Sequence, residues 1–212
     1  MIPLALKKRI HLLGAAFAVS IGAAARPGTD DLSIERTLMP DAAPSSFAVG
    51  FPNGVNFCYD VVRGGLSYIW QGGFVDVTSV RPNAGKSISP VKLLGKVVYR
   101  EEGFFPLRTG DPQRGVAFVF KGYRLLGSAI EFRYEIDHRL VIEEVAPLPD
   151  GSGLVRRFHI EGAPAGEPWW YVPGANSGGK LTALQAVQDA GGFRFDAARE
   201  FALEVHFGKE AL

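Results

Sequence analysis

Between Ile130 and Ile136 the chain alternates without a break. Ile130, Phe132, Tyr134 and Ile136 are aliphatic or aromatic, and Glu131, Arg133 and Glu135 between them are charged. Successive side chains of a β-strand point to opposite faces, so this pattern puts every large apolar group on one side and every charge on the other. Such a strand belongs to an antiparallel sheet with one face on a core and the other in water. Its neighbours obey the same rule. Val116, Phe118 and Phe120 alternate with Ala117, Val119 and Lys121. Asp137 and His138 form a turn into the strand from Leu140 to Val145. After the turn at Pro149, Asp150 and Gly151, Leu154, Arg156, Phe158 and Ile160 continue the pattern, and Phe201, Leu203, Val205 and Phe207 close it.

The stretch from Phe47 to Asp76 is the most densely organised. Val55, Phe57 and Tyr59 alternate with Asn56, Cys58 and Asp60, and Leu66, Tyr68 and Trp70 alternate with Ser67, Ile69 and Gln71. Arg63, Gly64 and Gly65 lie between them, so the pair reads as a β-hairpin. Gly72 and Gly73 then predict a bulge or sharp bend before Phe74. Glu101 to Arg114 reads as a loop whose Phe104–Phe105 pair either packs or marks a partner contact. Lys180 to Ala190 is the one candidate helix, with Ala183, Leu184 and Ala186 favouring it and Thr182 and Val187 opposing it. About a dozen short strands, with at most one short helix, predict an all-β fold, an antiparallel β-sandwich.

Met1 to Ala25 has the form of a secretory signal peptide. Lys7, Lys8 and Arg9 precede an apolar run from Ile10 to Ile21, and Ala23, Ala24 and Ala25 supply small residues for cleavage. Residues 26–45, with Pro27, Pro40 and Pro44, read as an exposed lead-in, and residues 46–207 as the sandwich domain. A periplasmic or secreted protein is expected, with no membrane contact after cleavage. Loss of the leader removes three basic residues and no acid, leaving 20 Lys and Arg against 22 Asp and Glu. That balance lacks the basic field of a nucleic-acid partner. Cys58 is the only cysteine, so no intramolecular disulfide forms, and it reads as a small buried side chain. The AGKS at Ala84 to Ser87 lacks the first glycine of a phosphate loop, since Val80 stands there.

The blocks AVGFPNGVNFCYD, LSYIWQGGFVDVTS, KLLGK and FKGYRLLGSAIEFRYEID resemble a module in large exported proteins of planctomycetes and verrucomicrobia. There it accompanies c-type cytochrome domains and propellers resembling sorbosone-type sugar dehydrogenases. The resemblance runs from Phe47 to Ile160. Its most specific parts are W-x-G-G-F-x-D at Trp70 to Asp76 and F-x-G-Y-x-L at Phe120 to Leu125. It implies an exported β-rich accessory domain beside sugar oxidation and electron transfer, with a cytochrome or sugar dehydrogenase as partner. It carries over no catalytic residues. This chain has no C-x-x-C-H for haem attachment, and no cofactor is expected.

Sugars are bound by stacking their apolar faces on aromatic rings while acids and amides take the hydroxyls. Trp70, Phe74, Tyr123, Trp169 and Trp170 are the candidate rings, and Gln71, Asp76, Arg124 and Asn176 the candidate polar partners. Trp70 alternates in phase with Leu66 and Tyr68, which favours the core. Trp169 and Trp170 are adjacent on a strand, so one of them is expected at an exposed face or rim. Phe104 and Phe105 are the candidate partner contacts. Glu101–Glu102 and Glu143–Glu144 cannot act as catalytic pairs, the first lying in a loop and the second pointing to opposite faces. His138, His159 and His206 have no metal-ligand spacing. These features favour a non-enzymatic module for carbohydrate or a sugar-oxidising partner. The alternatives are a sugar hydrolase or epimerase using acids from separate strands, and a structural partner domain.

Overall fold

The computed structural model describes residues 32–80, 88–189, 192–196 and 199–207. The leader and the AGKS segment lie outside the described residues. The described chain is all-β, with sixteen strands in three antiparallel sheets. The first sheet is a meander of β1 (Ser33–Thr37), β2 (Ser46–Gly50), β3 (Val55–Asp60), β4 (Gly65–Asp76) and β5 (Lys92–Glu101), extended by β12 (Asn176–Ser177). The second runs β13 (Lys180–Leu184), β16 (Glu200–His206), β10 (Gly153–Glu161), β9 (Arg139–Pro147), β8 (Ile130–Ile136) and β7 (Phe118–Leu125). The third is small, in the order β14 (Val187–Asp189), β15 (Gly192–Phe195), β11 (Trp169–Tyr171) and β6 (Leu107–Thr109).

The core lies where the inner faces of the first two sheets meet, as in a β-sandwich. Tyr59 of β3 stacks on Phe132 of β8 with ring centroids 3.9 Å apart, and Phe47 of β2 lies 5.9 Å from the same ring. The third sheet contributes Leu107, Trp169, Tyr171 and Phe195 to the same cluster. The expected alternation over β8 holds: Ile130, Phe132, Tyr134 and Ile136 are buried against the core.

The β3–β4 hairpin forms where its glycines predict it. Gly64 has φ +72°, and its N–H donates to the Asp60 carbonyl at 2.9 Å. The Asp60 carboxylate accepts from the backbone N–H groups of Val62, Arg63 and Ala43, which holds the turn and the incoming segment together. The register also shifts beyond Gly72, the predicted bulge. A side chain at Gly95 would collide with the Gln71 carbonyl, so only glycine lets β5 approach β4 there.

Four expectations change. Ser33–Thr37, in the predicted lead-in, is β1 and pairs along its length with β2, and Met39 is buried. Leu66 is not on the face of Tyr68 and Trp70. Ser67 is an extra residue, because Cys58 pairs with Tyr68 while Tyr59 pairs with Leu66. Leu66 therefore enters the main core, and Tyr68 and Trp70 join Met39, Ala48, Cys58 and Val91 in a second cluster on the other face. The candidate helix is strand instead: β13 pairs with β16, and Gln185, at φ +61°, turns the chain into β14. Finally, the loop from Glu101 begins on the last residue of β5 and contains β6, which pairs with β11.

Candidate functional site

Two features of the molecule bring chemistry-bearing side chains together. One is inside. Arg156 occupies an inward position of β10 between Leu154 and Phe158, and its side chain is 1% exposed. Its Nε donates to Oε1 of Glu143 on β9 at 2.6 Å, and one terminal nitrogen donates to the Tyr171 hydroxyl at 2.6 Å. That hydroxyl donates on to Oε1 of Glu101 at 2.7 Å, and the Tyr99 hydroxyl donates to Oε2 at 2.9 Å. Tyr134 and Tyr59 donate to Glu143 Oε2 at 2.9 and 3.4 Å. The guanidinium also lies 5.2 Å from the Tyr171 ring centroid and 5.3 Å from that of Phe158.

Six strands thus converge on one charged cluster in the buried interior. Burial pushes the Glu101 carboxyl above its ordinary range, against the pull of Arg156 and the Tyr171 and Tyr99 hydroxyls. Burial also raises the hydroxyls of Tyr59, Tyr134 and Tyr171 well above their usual values. Burial works against the charge on Arg156, yet Glu143, Tyr171 and Glu101 hold it protonated. The signal for this cluster was present in the sequence. Arg156 is in phase with Leu154 and Phe158, and Glu143 with Val141 and Val145, so a base and an acid both face a core that requires them to pair. Glu101 gives no such signal, because it is the last residue of β5 and opens a segment of loop composition.

The second feature is a recess of about 520 Å³ bordered by Asp41, Arg63, Ser67, Arg100, Glu101, Glu102, Gly103 and Phe104. The Phe104 ring is 57% exposed, with the Arg63 guanidinium 5.6 Å from its centroid. Arg63 is steadied from below by Asp60, Nε to Oδ2 3.6 Å. Arg100 pairs with Asp41 at 3.3 Å and lies 5.1 Å from the Tyr68 ring centroid. One open aromatic ring, two guanidiniums, two exposed acids and a hydroxyl therefore share a concavity of ligand size.

The sequence candidates fall in three places. Trp70 is fully buried on β4, where its Nε1–H donates to the carbonyls of Gly73 and Phe74 and its ring stacks on Phe74 at 6.3 Å. Gln71 and Asp76 lie on the same strand, and Asp76 Oδ1 accepts from the Thr78 N–H at 2.9 Å. Tyr123 and Arg124 lie on β7 of the other main sheet. Tyr123 packs edge-on against Phe47 at 5.1 Å, and Arg124 donates to Glu131 at 2.8 Å. Trp169 and Trp170 do point to opposite faces, but neither is exposed. β11 is an inner strand of the third sheet. Trp169 faces the core, while Trp170 is covered by Arg194, 5.8 Å from its ring, and donates to the Gly110 carbonyl at 3.0 Å. Of the two partner-contact candidates, Phe104 stays open and Phe105 packs against Phe118 at 5.4 Å.

The outer face of the second sheet carries a shallower groove of about 470 Å³, lined in part by Ile142, Leu184 and Ala202. Its walls include the ion pair Arg157–Glu144, 2.9 Å, and the contact between His159 Nδ1 and Glu200, 3.1 Å. Cys58 is buried, and burial pushes its thiol up to about 12. No family model, curated protein or solved structure matches the chain.

Proposed function

We propose that the chain is a non-enzymatic binding module, that its site is the recess under Phe104, and that its ligand is carbohydrate. The observation carrying this reading is the pairing of one open ring with Asp41, Arg63, Ser67, Arg100 and Glu102 in a single concavity. An apolar sugar face stacks on such a ring, and fixed acids and guanidiniums exchange hydrogen bonds with its hydroxyls. The leader-like Met1 to Ala25 supports an exported setting, where such ligands are met.

Calorimetric titration of the exported protein with a panel of mono- and oligosaccharides tests the reading. Saturable binding is expected, weakened about tenfold or more in Phe104→Ala and Arg100→Ala with their denaturation midpoints unchanged. Absence of binding across the panel overturns it. A second reading, docking to a sugar-oxidising or cytochrome-bearing partner, is favoured by β7. This strand ends its sheet and leaves Val119, Tyr123 and Leu125 each nearly half exposed. Edge strands with exposed apolar side chains are a common place for partner strands to add.

A further inference from the structure

The buried cluster holds two carboxyls and one guanidinium, and that count has a consequence independent of any ligand. Inside the core the groups facing Glu101 are Tyr99 from its own strand, Tyr171 from β11 and Arg156 from β10, with Glu143 of β9 beyond the arginine. On the recess side stand Glu102 and the pairs Arg63–Asp60 and Arg100–Asp41. Tyr134 of β8 and Tyr59 of β3 complete the shell around Glu143. Arg156 is bonded directly to Glu143, whereas it reaches Glu101 only through the Tyr171 hydroxyl. With both carboxyls ionised, one negative charge would sit uncompensated in a region where Glu101 is 5% and Glu143 0% exposed. An isolated charge in such surroundings is relieved by neutralisation far more readily than by further packing.

We propose that Glu101 is a proton-binding site at the heart of the sandwich, holding its proton to higher pH than a solvent-exposed glutamate does and releasing it to solvent as the pH rises. The tyrosines are consistent partners, since each hydroxyl can donate to a carboxylate or accept from a carboxylic acid. Glu101 is also a wall residue of the recess, which brings this end of the cluster next to solvent. Burial opposing the charged form acts in the same direction. A carboxyl whose proton is held more tightly in the folded than in the unfolded chain stabilises the fold fully at pH values below its unfolded pKa. That stability is lost as the pH rises through the folded value. The folding constant is therefore expected to fall with rising pH from about pH 4.5 upward, about tenfold for each unit by which folding raises this pKa.

Two measurements decide it. Carbon-13 NMR of the full chain, labelled at glutamate carboxyls, is expected to show one carboxyl in the acid form well above about pH 4.5, with the signal lost in Glu101→Gln. Glu101→Gln, which keeps the shape without the titration, is expected to fold and to flatten the decline of the denaturation midpoint as the pH rises above about 4.5. A Glu101 carboxyl that is already ionised at about pH 5 overturns the proposal, as does a variant whose pH profile matches the parent's. The carbon-13 titration of the parent decides the question even where the variant fails to fold.

Discussion

Strands β9 and β10 carry an acid–arginine pair twice, one residue apart. Glu144 and Arg157 stand opposite one another on the outer face, half in water, at 2.9 Å. Glu143 and Arg156 are the preceding residue on each strand, face the core, and bond at 2.6 Å with essentially no exposure. Composition and strand context are shared; the face differs, and the inner pair meets on the diagonal, Glu143 standing across from Phe158 and Arg156 from Val145. On the outside, water solvates either partner when the other is removed, and ions screen their attraction. On the inside, each charge depends on named protein groups: Tyr134 and Tyr59 for Glu143, Tyr171 for Arg156. The comparison teaches that an ion pair's worth is set by what would replace it.

The sharpest way to test this is Arg156→Met, which keeps apolar bulk but strands Glu143 among tyrosines. Loss of one partner of a buried pair typically destabilises by about 3–5 kcal/mol. Urea denaturation should show a loss of that order, little changed by added salt because the pair is closed to ions. A loss no greater than that of a surface substitution would mean that water reaches the cluster and that the two faces are equivalent.

Tyr171→Phe probes the cluster more gently. It removes the hydroxyl that accepts from Arg156 and donates to Glu101, leaving the ring against Phe158. Buried groups left without a partner cost about 1–3 kcal/mol, so a drop inside that range is expected in the same denaturation measurement. The hydroxyl links the two halves of the cluster, so Tyr171→Phe combined with Glu101→Gln should fall short of the sum of the single losses.

The two faces also explain what could be read from the sequence. Strands of the second sheet have one wet face, so Ile130 to Ile136 and Leu154 to Ile160 announce their inward sides by period. Strands β2 and β3 are buried on both faces. Alternation there contrasts Phe57 with Cys58, two residues that are both interior, and hides which face meets which layer. The bulge at Ser67 is invisible to a fixed period, so strict alternation puts Leu66 on the face of Tyr68. Adjacency on a strand does send Trp169 and Trp170 to opposite faces. The covering of Trp170 by Arg194 depends on a strand pairing between residues far apart in the chain. The recess is the least legible feature. It joins Asp41, Arg63 and Phe104 from three separate connections to Arg100 near the end of β5, and no local pattern relates them.

Arg157→Ala is the counterpart of the first substitution and has the smallest expected effect. Its guanidinium bonds Glu144 with side-chain exposures of 55% and 38%, so removing it leaves Glu144 free to be hydrated. Directly across from Glu144 on β8 stands Glu131, which is itself held by Arg124 at 2.8 Å and Arg133 at 2.6 Å. The neighbouring like charge is therefore already compensated, and loss of Arg157 adds only weak repulsion. A change of about 0.2–1 kcal/mol is expected, shrinking further at high salt. A loss approaching that of Arg156→Met would show that the groove around Ile142 and Leu184 closes over the outer pair in solution. The distinction between the faces would then have to be drawn at β13 rather than at the plane of the sheet.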